Sequence, residues 1–183
     1  LLGRFPRVRR LEILGGGLTR LPDGLAGMQE LTHLSLESMG LTIDQAAFDL
    51  FMRIRNLDEL DLTGNIIGEF TDIERLRLST LWLNATGLTQ WPAWAETLGL
   101  RSLDISDHQI MHLPDHILEN SQHQVSQLTI HAYDNPIDHE DLRRFWINDR
   151  GYDMSYRLEF NYPADIRDLV VDTTSSDDEA SSD

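Results

Sequence analysis

The sequence predicts an α/β solenoid, in which short parallel strands stack into one sheet and each returns to the next through a loop or short helix. Three observations predict it. An apolar frame, L-x-x-L-x-L-x-x-N-x-L, recurs along most of the chain. Its central residue falls at Leu11, Leu34, Leu60, Leu81, Leu103 and Leu128, in steps of 23, 26, 21, 22 and 25 residues. Proline follows Leu21, Trp91 and Leu113, which breaks the strand period and starts a return leg.

Taken in order, the first copy sets Val8, Leu11, Ile13 and Leu18 on the frame, and the second Leu31, Leu34, Leu36 and Leu41. The third sets Leu57, Leu60, Leu62 and Ile67, the fourth Leu78, Leu81, Leu83 and Leu88, and the fifth Leu100, Leu103, Ile105 and Ile110. A sixth begins with Val125, Leu128 and Ile130 and then drifts, its Asn135 falling two places late. These are leucine-rich repeats. L-x-L is a short strand with alternate side chains turned inward. One strand cannot bury its own apolar side, so the copies must stack and share a core. Six strands are expected, in a curved horseshoe with the strands on the concave side.

Return legs are also readable. Leu25 and Met28 after the first Pro, and Ile117 and Leu118 after the last, can turn inward. The second copy has a longer return, "DQAAFDLFMRIRN", with Asp44 as N-cap and Ala47, Phe48, Phe51 and Ile54 at helical spacing. The Asn slot of the frame serves backbone groups at the turn between coils. Its occupants are Gly16, Met39, Asn65, Thr86, His108 and Tyr133. Only Asn65 is a structural turn amide, so coil joints are expected to rest on main-chain pairing and apolar stacking.

Beyond the repeats, "DHEDLRRFWIN" predicts a capping helix, with Asp138 as N-cap, Leu142, Phe145 and Trp146 as its apolar stripe and Gly151 at its end. In "MSYRLEFNY", Met154, Tyr156, Leu158, Phe160 and Tyr162 alternate with polar residues as in a strand. This strand either covers the final coil or belongs to a region further along the chain. The tail carries five acids and no base from Asp172 on, and reads as solvated and disordered. The organisation is therefore 1–7, a basic edge of a longer chain; 8–137, about six repeats; 138–163, a cap of helix then strand; and 164–183, an acidic tail. "LLGRFPRVRRLEIL" has no initiator Met and no signal-peptide pattern, so a piece of a longer chain is expected.

Composition narrows the function classes. The 183 residues carry a net charge of −16. A nucleic-acid partner is not expected, because phosphate binding needs a basic patch. Only Arg4, Arg7, Arg9 and Arg10 cluster, as an exposed basic edge. No apolar run approaches the roughly 18 residues of a membrane span, so membrane insertion is not expected. With no Cys there is no disulfide, zinc-thiolate site or cysteine nucleophile in this stretch. All fifteen basic residues are Arg. Codon bias explains that, and so would a surface kept free of ubiquitin-accepting amines.

No catalytic constellation is present: no G-x-S-x-G, P-loop, dinucleotide fingerprint or H-E-x-x-H. "LGGGL" occupies a strand-to-loop bend. His108, His112 and His116 are four apart but lie off any regular helix, so neither a metal nor another cofactor is expected. That leaves a binding surface built from the x positions of L-x-x-L-x-L-x. Down the stack they run from a basic first coil to an acidic middle and then to Trp82. The candidate protein-binding residues on that face are Arg10, Glu37, Asp58, Glu59, Asp61, Trp82, Asn84, Arg101 and Asp104. Trp and Arg are the types enriched at interface hot spots.

"LDLTGNIIGEFTDIERLRLSTLWLNATGLTQWP", "LRSLDISDHQIMHLPDHI" and "DNPIDHEDLRRFW" resemble the repeat arm of bacterial effector and toxin-like proteins that carry a novel-type E3 ubiquitin ligase domain. The resemblance spans roughly Leu11 to Trp146. In that family the ligase domain uses a Cys-x-Asp nucleophile, which this stretch lacks. What the resemblance implies here is the arm that selects a substrate protein and restrains the ligase. It also implies further domains in the same polypeptide and secretion or translocation into a host cell. The alternative is a spacer or autoinhibitory solenoid in a large multidomain toxin, with no external partner.

Overall fold

The computed structural model describes residues 7–16, 18–73, 75–118, 128–148 and 156–161. The strands β1 (Arg10–Glu12), β2 (His33–Ser35), β4 (Glu59–Asp61), β6 (Thr80–Trp82), β7 (Ser102–Asp104), β8 (Leu128–His131) and β9 (Tyr156–Glu159) form one sheet. They lie side by side in chain order, and every neighbouring pair is parallel. Parallel pairing in chain order means that each strand is followed by a return leg before the next begins. A second, two-stranded sheet pairs β3 (Thr42–Ile43) with β5 (Ile66–Ile67). The result is a mixed α/β, leucine-rich-repeat-like fold.

Register makes the frame physical. Leu11, Leu34, Leu60, Leu81, Leu103 and Ile130 occupy one row. From Leu34 onward these residues are at most 2% exposed. In the first coil, which among the described residues has a neighbouring coil on one side, Val8, Leu11, Ile13 and Leu18 are only partly buried.

Two sequence expectations need correction. The partner of Leu103 is Ile130, not Leu128. The sequence frame sets the sixth copy two residues early, because Val125 and Leu128 imitate its opening while the true third slot holds the small Ala132. And the sheet has seven strands, not six, since β9 pairs with β8 through Ile130 and Leu158.

The corrected frame puts Asn135, not Tyr133, in the Asn slot. Asn65 Oδ1 accepts from Leu41 N at 3.0 Å and its Nδ2 donates to Leu36 O at 2.8 Å, both in the preceding coil. Asn135 makes the same pair of bonds, to Ile110 N at 3.1 Å and Ile105 O at 2.8 Å. His108 does likewise with its ring, to Leu88 N at 3.2 Å and Leu83 O at 2.8 Å. Three joints are thus pinned through the Asn slot, where the frame alone points to one. Thr86 bonds only within its own coil, to Leu83 O.

Four residues past each central apolar position the chain turns with positive φ, at Gly15, Ser38, Gly64, Ala85, Asp107 and Asp134. Gly64 is the tightest of these: a Cβ there would lie 2.8 Å from Ser38 Oγ and 3.3 Å from Ser38 Cα. Ala85, at φ 53°, holds this turn at a cost glycine avoids.

The return legs match the proline and cap signals. A 3-10 turn (Asp23–Gly27), α2 (Ala93–Glu96) and α3 (Asp115–Leu118) follow Pro22, Pro92 and Pro114, and bury Leu25, Ala95, and Ile117 with Leu118. Asp44 caps α1 (Gln45–Phe51) by accepting from Ala47 N at 3.1 Å. Phe48 and Phe51 of α1 are fully buried. Phe48 also meets Phe70 at 4.5 Å, and Phe70 meets Trp94 edge-on at 5.0 Å. These rings pack together across the return legs of the second, third and fourth coils.

Helix α4 (His139–Asn148) starts at Asp138, whose Oδ1 accepts from Glu140 N at 2.8 Å. Its Leu142 and Phe145 are buried. Phe145 packs edge-on against Phe160, just past β9. The expected cap helix therefore occupies the return leg between β8 and β9. Gly151, Met154, Tyr162 and the acidic tail lie outside the described residues. No helix among the described residues is long and apolar enough to cross a membrane.

Candidate functional site

Strand alternation turns one set of side chains away from the core. Register aligns them in rows across the sheet. One row runs Arg10, His33, Glu59, Thr80, Ser102, Thr129 and Arg157. The next runs Glu12, Ser35, Asp61, Trp82, Asp104, His131 and Glu159. Two residues further along their chains, Glu37 is exposed and Asn84 half-buried.

The candidate residues divide into three groups. Arg10, Glu37, Glu59, Asp61 and Trp82 converge on one depression of about 260 Å³ on the outward face. Asp104 belongs to the second row and Asn84 lies two residues past Trp82, and neither lines the depression. Asp58 and Arg101 do not share the face. Asp58 has the parity of Leu60, so it is exposed only because the chain is still entering the strand. With Arg77, Ser79 and Arg101 it lines a separate groove at the sheet's leading edge. The outward set of the third coil is thus Glu59, Asp61 and Thr63.

Within the depression, the carboxylates differ in how much they are committed. Glu59 Oε1 lies 2.9 Å from His33 Nε2, an ion pair when the imidazole is protonated. His33 is held from behind by Thr32 Oγ1, 2.7 Å from Nδ1. Asp61 accepts from Ser35 Oγ at 3.2 Å and from Thr63 N at 3.0 Å. Asp104 repeats the second bond, to Ser106 N at 3.0 Å. Glu12 and Glu37 stand exposed at the rim. Trp82 sits half-buried, in register with Asp61 on one side and Asp104 on the other. Asn84 Oδ1 is buried without a hydrogen-bond partner among the described residues.

Sequence reasoning left open whether β9 covers the final coil, so it did not reach the other end of the face. There Tyr133 donates to Glu159 Oε2 at 2.8 Å, and His131 Nδ1 lies 3.0 Å from the same oxygen. Arg157 Nε reaches Glu159 Oε1 at 2.8 Å. The tyrosine hydroxyl, ahead of the neighbouring charges, holds the Glu159 carboxyl below its ordinary range. The same bond raises the Tyr133 phenol above its own. His33 and Glu12, which line the depression, were legible as outward positions but lacked a register to join them to Glu59.

The evenly spaced histidines disperse. His108 is buried between coils, His112 lies 3.2 Å from Asp141, and His116 lies 2.9 Å from Glu96. Among the described residues, no three His, Asp or Glu side chains are grouped to hold a metal ion. The arrangement is a fixed polar and aromatic surface, suited to contact.

No protein-family model matches the chain. It is 34% identical over 84 residues to tubulin-folding cofactor E of Arabidopsis thaliana, a stretch that is 43% of this chain and 15% of that protein. Among solved structures, it is similar to the leucine-rich-repeat domain of a Shigella effector, at 16% identity and a TM-score of 0.44. That match covers 84% of this chain and 81% of the other.

Proposed function

We propose that the chain is a protein-recognition module that binds its partner through the outward face of the seven-stranded sheet. One observation carries this reading: Arg10, Glu37, Glu59, Asp61 and Trp82 line a single depression although they come from four different coils. Strands fix the backbone of most of these residues, and cross-strand bonds fix several side chains, so little conformational entropy is lost on docking. Trp82 supplies desolvated area and the acids supply orientation.

The finer reading follows from the sequence resemblance. The sheet curves into a horseshoe with this face concave, α4 and β9 close its end, and the module selects the substrate of an effector-type E3 ubiquitin ligase whose catalytic domain lies elsewhere in the polypeptide. On this reading the segment is not itself an enzyme, and it acts after secretion or translocation into a host cell. The name of the Arabidopsis relative points instead to tubulin as cargo; its 84 matched residues support only a shared repeat.

Charge reversal tests the face. Glu37→Lys, Glu59→Lys and Asp61→Lys together, in the full-length protein, abolish partner capture or change substrate choice. The matched reversal of Asp49, Glu69 and Asp115 on the return side leaves both intact. If the triple variant on the face captures and selects as the parent does, the recognition reading is wrong and the spacer reading replaces it.

A further inference from the structure

At three coil joints the Asn slot holds a side chain that bonds both a backbone N–H and a carbonyl of the preceding coil, and two of those side chains cannot titrate. Asn65 and Asn135 are amides. His108, 2% exposed, fills the same slot in the fifth coil. The joint between the fourth and fifth coils also carries the His116–Glu96 pair on its return side. The protonation of His108 is dictated by its partners. Leu83 O can only accept, so Nε2 carries a hydrogen; Leu88 N–H can only donate, so Nδ1 is bare. The ring is neutral and both nitrogens are in use. A second proton must go to Nδ1, where it would face the Leu88 N–H.

The surroundings decide how readily this happens. Burial holds the imidazole below its ordinary 6.5; the bond to Leu83 O and the charges of Asp107 and Asp104 work the other way and do not overcome it. The facing stretch of the fourth coil, Leu83 to Leu88, contains no titratable side chain. The sixth coil contributes Asp134, one rung on from Asp107.

We propose that the joint between the fourth and fifth coils is an acid-labile hinge: proton uptake at His108 Nδ1 breaks the bond to Leu88 N–H, expels the ring and loosens these coils while the amide-pinned joints hold. The hinge lies just past the ends of β6 and β7, which carry Trp82 and Asp104: Leu83 directly follows Trp82, and His108 is four residues past Asp104. Acid would therefore act in the middle of the sheet, whatever that face binds.

The sign comes from linkage. The opened or unfolded chain binds the proton more tightly than the folded one, so stability is complete above about pH 6.5 and falls as pH drops below it. The test is urea unfolding of the wild type and His108→Asn from about pH 7.5 to about pH 5. The asparagine keeps both bonds and cannot titrate. The other histidines are common to both proteins and cancel. The wild type should lose up to about thirty-fold in its folding constant relative to the variant by pH 5. Parallel curves overturn the hinge.

Amide exchange in the wild type gives a second reading that needs no variant. After correction for intrinsic rates, the Leu88 amide should lose protection on acidification while Leu41 and Ile110, pinned by Asn65 and Asn135, keep theirs. Equal behaviour of the three amides also overturns the proposal.

Discussion

The two faces of the sheet carry opposite kinds of information. On the inward face, the row from Leu34 to Ile130 repeats one chemistry at every rung, because each residue meets the same environment, made by its neighbours in the coils above and below. Burial of each such side chain contributes about 1.5–3 kcal/mol. On the outward face, the row from Glu12 to Glu159 changes at every rung. Stacking sets no residue type there, so the sequence is free to specify a surface. The first face carries stability; on the proposed reading, the second carries recognition.

The largest expected effect sits on the inward face. Leu60→Ala removes a side chain with no exposure at the centre of the stack. It should cost about 3–5 kcal/mol in urea unfolding. A cost below about 1 kcal/mol would break the comparison, since it would mean the row is not the core. Asn65→Ala comes next, at about 2–3 kcal/mol, because Leu41 N and Leu36 O lose their shared partner in a buried turn. Ala85→Gly should raise stability by about 0.5–1 kcal/mol by relieving a left-handed alanine. Smallest is Glu37→Gln, within about 0.5 kcal/mol of the parent, since its side chain is exposed. That change should still weaken partner binding, which sharpens the division between the faces.

The same division explains what was legible in the sequence. Leu34, Leu60, Leu81 and Leu103 were readable because stacking forces a period on the inward face. Asp44 and the three prolines were readable because caps and breaks are local chemistry. The sixth copy was misplaced because Leu128 looks like a frame leucine and Ala132 does not; Asn135 was the better anchor, since its bonds reach the preceding coil. The strand pattern of β9 was visible, but its partner was not, because pairing depends on the 27 residues between Ile130 and Leu158 returning the chain to register.

For the site, alternation placed Glu59, Asp61 and Trp82 correctly on the outward face. It failed at Asp58, whose exposure comes from the entry turn and not from the face. Contacts between coils, such as His33 with Glu59 or Tyr133 with Glu159, were out of reach because they depend on register. The histidine in an asparagine slot was visible as a departure from the frame. Its hydrogen bonds to Leu83 and Leu88 were not.

Site-specific photocrosslinking tests the central claim most directly. A photoreactive residue is placed at Trp82 on the outward face, or at Ile66, 59% exposed on the second sheet. Each full-length protein is then irradiated in the presence of its cellular partners. A discrete adduct should form from position 82 and not from position 66, and it should vanish when Glu37, Glu59 and Asp61 are reversed in charge. An adduct from position 66 alone, or one from position 82 that survives the charge reversal, would contradict recognition by this face.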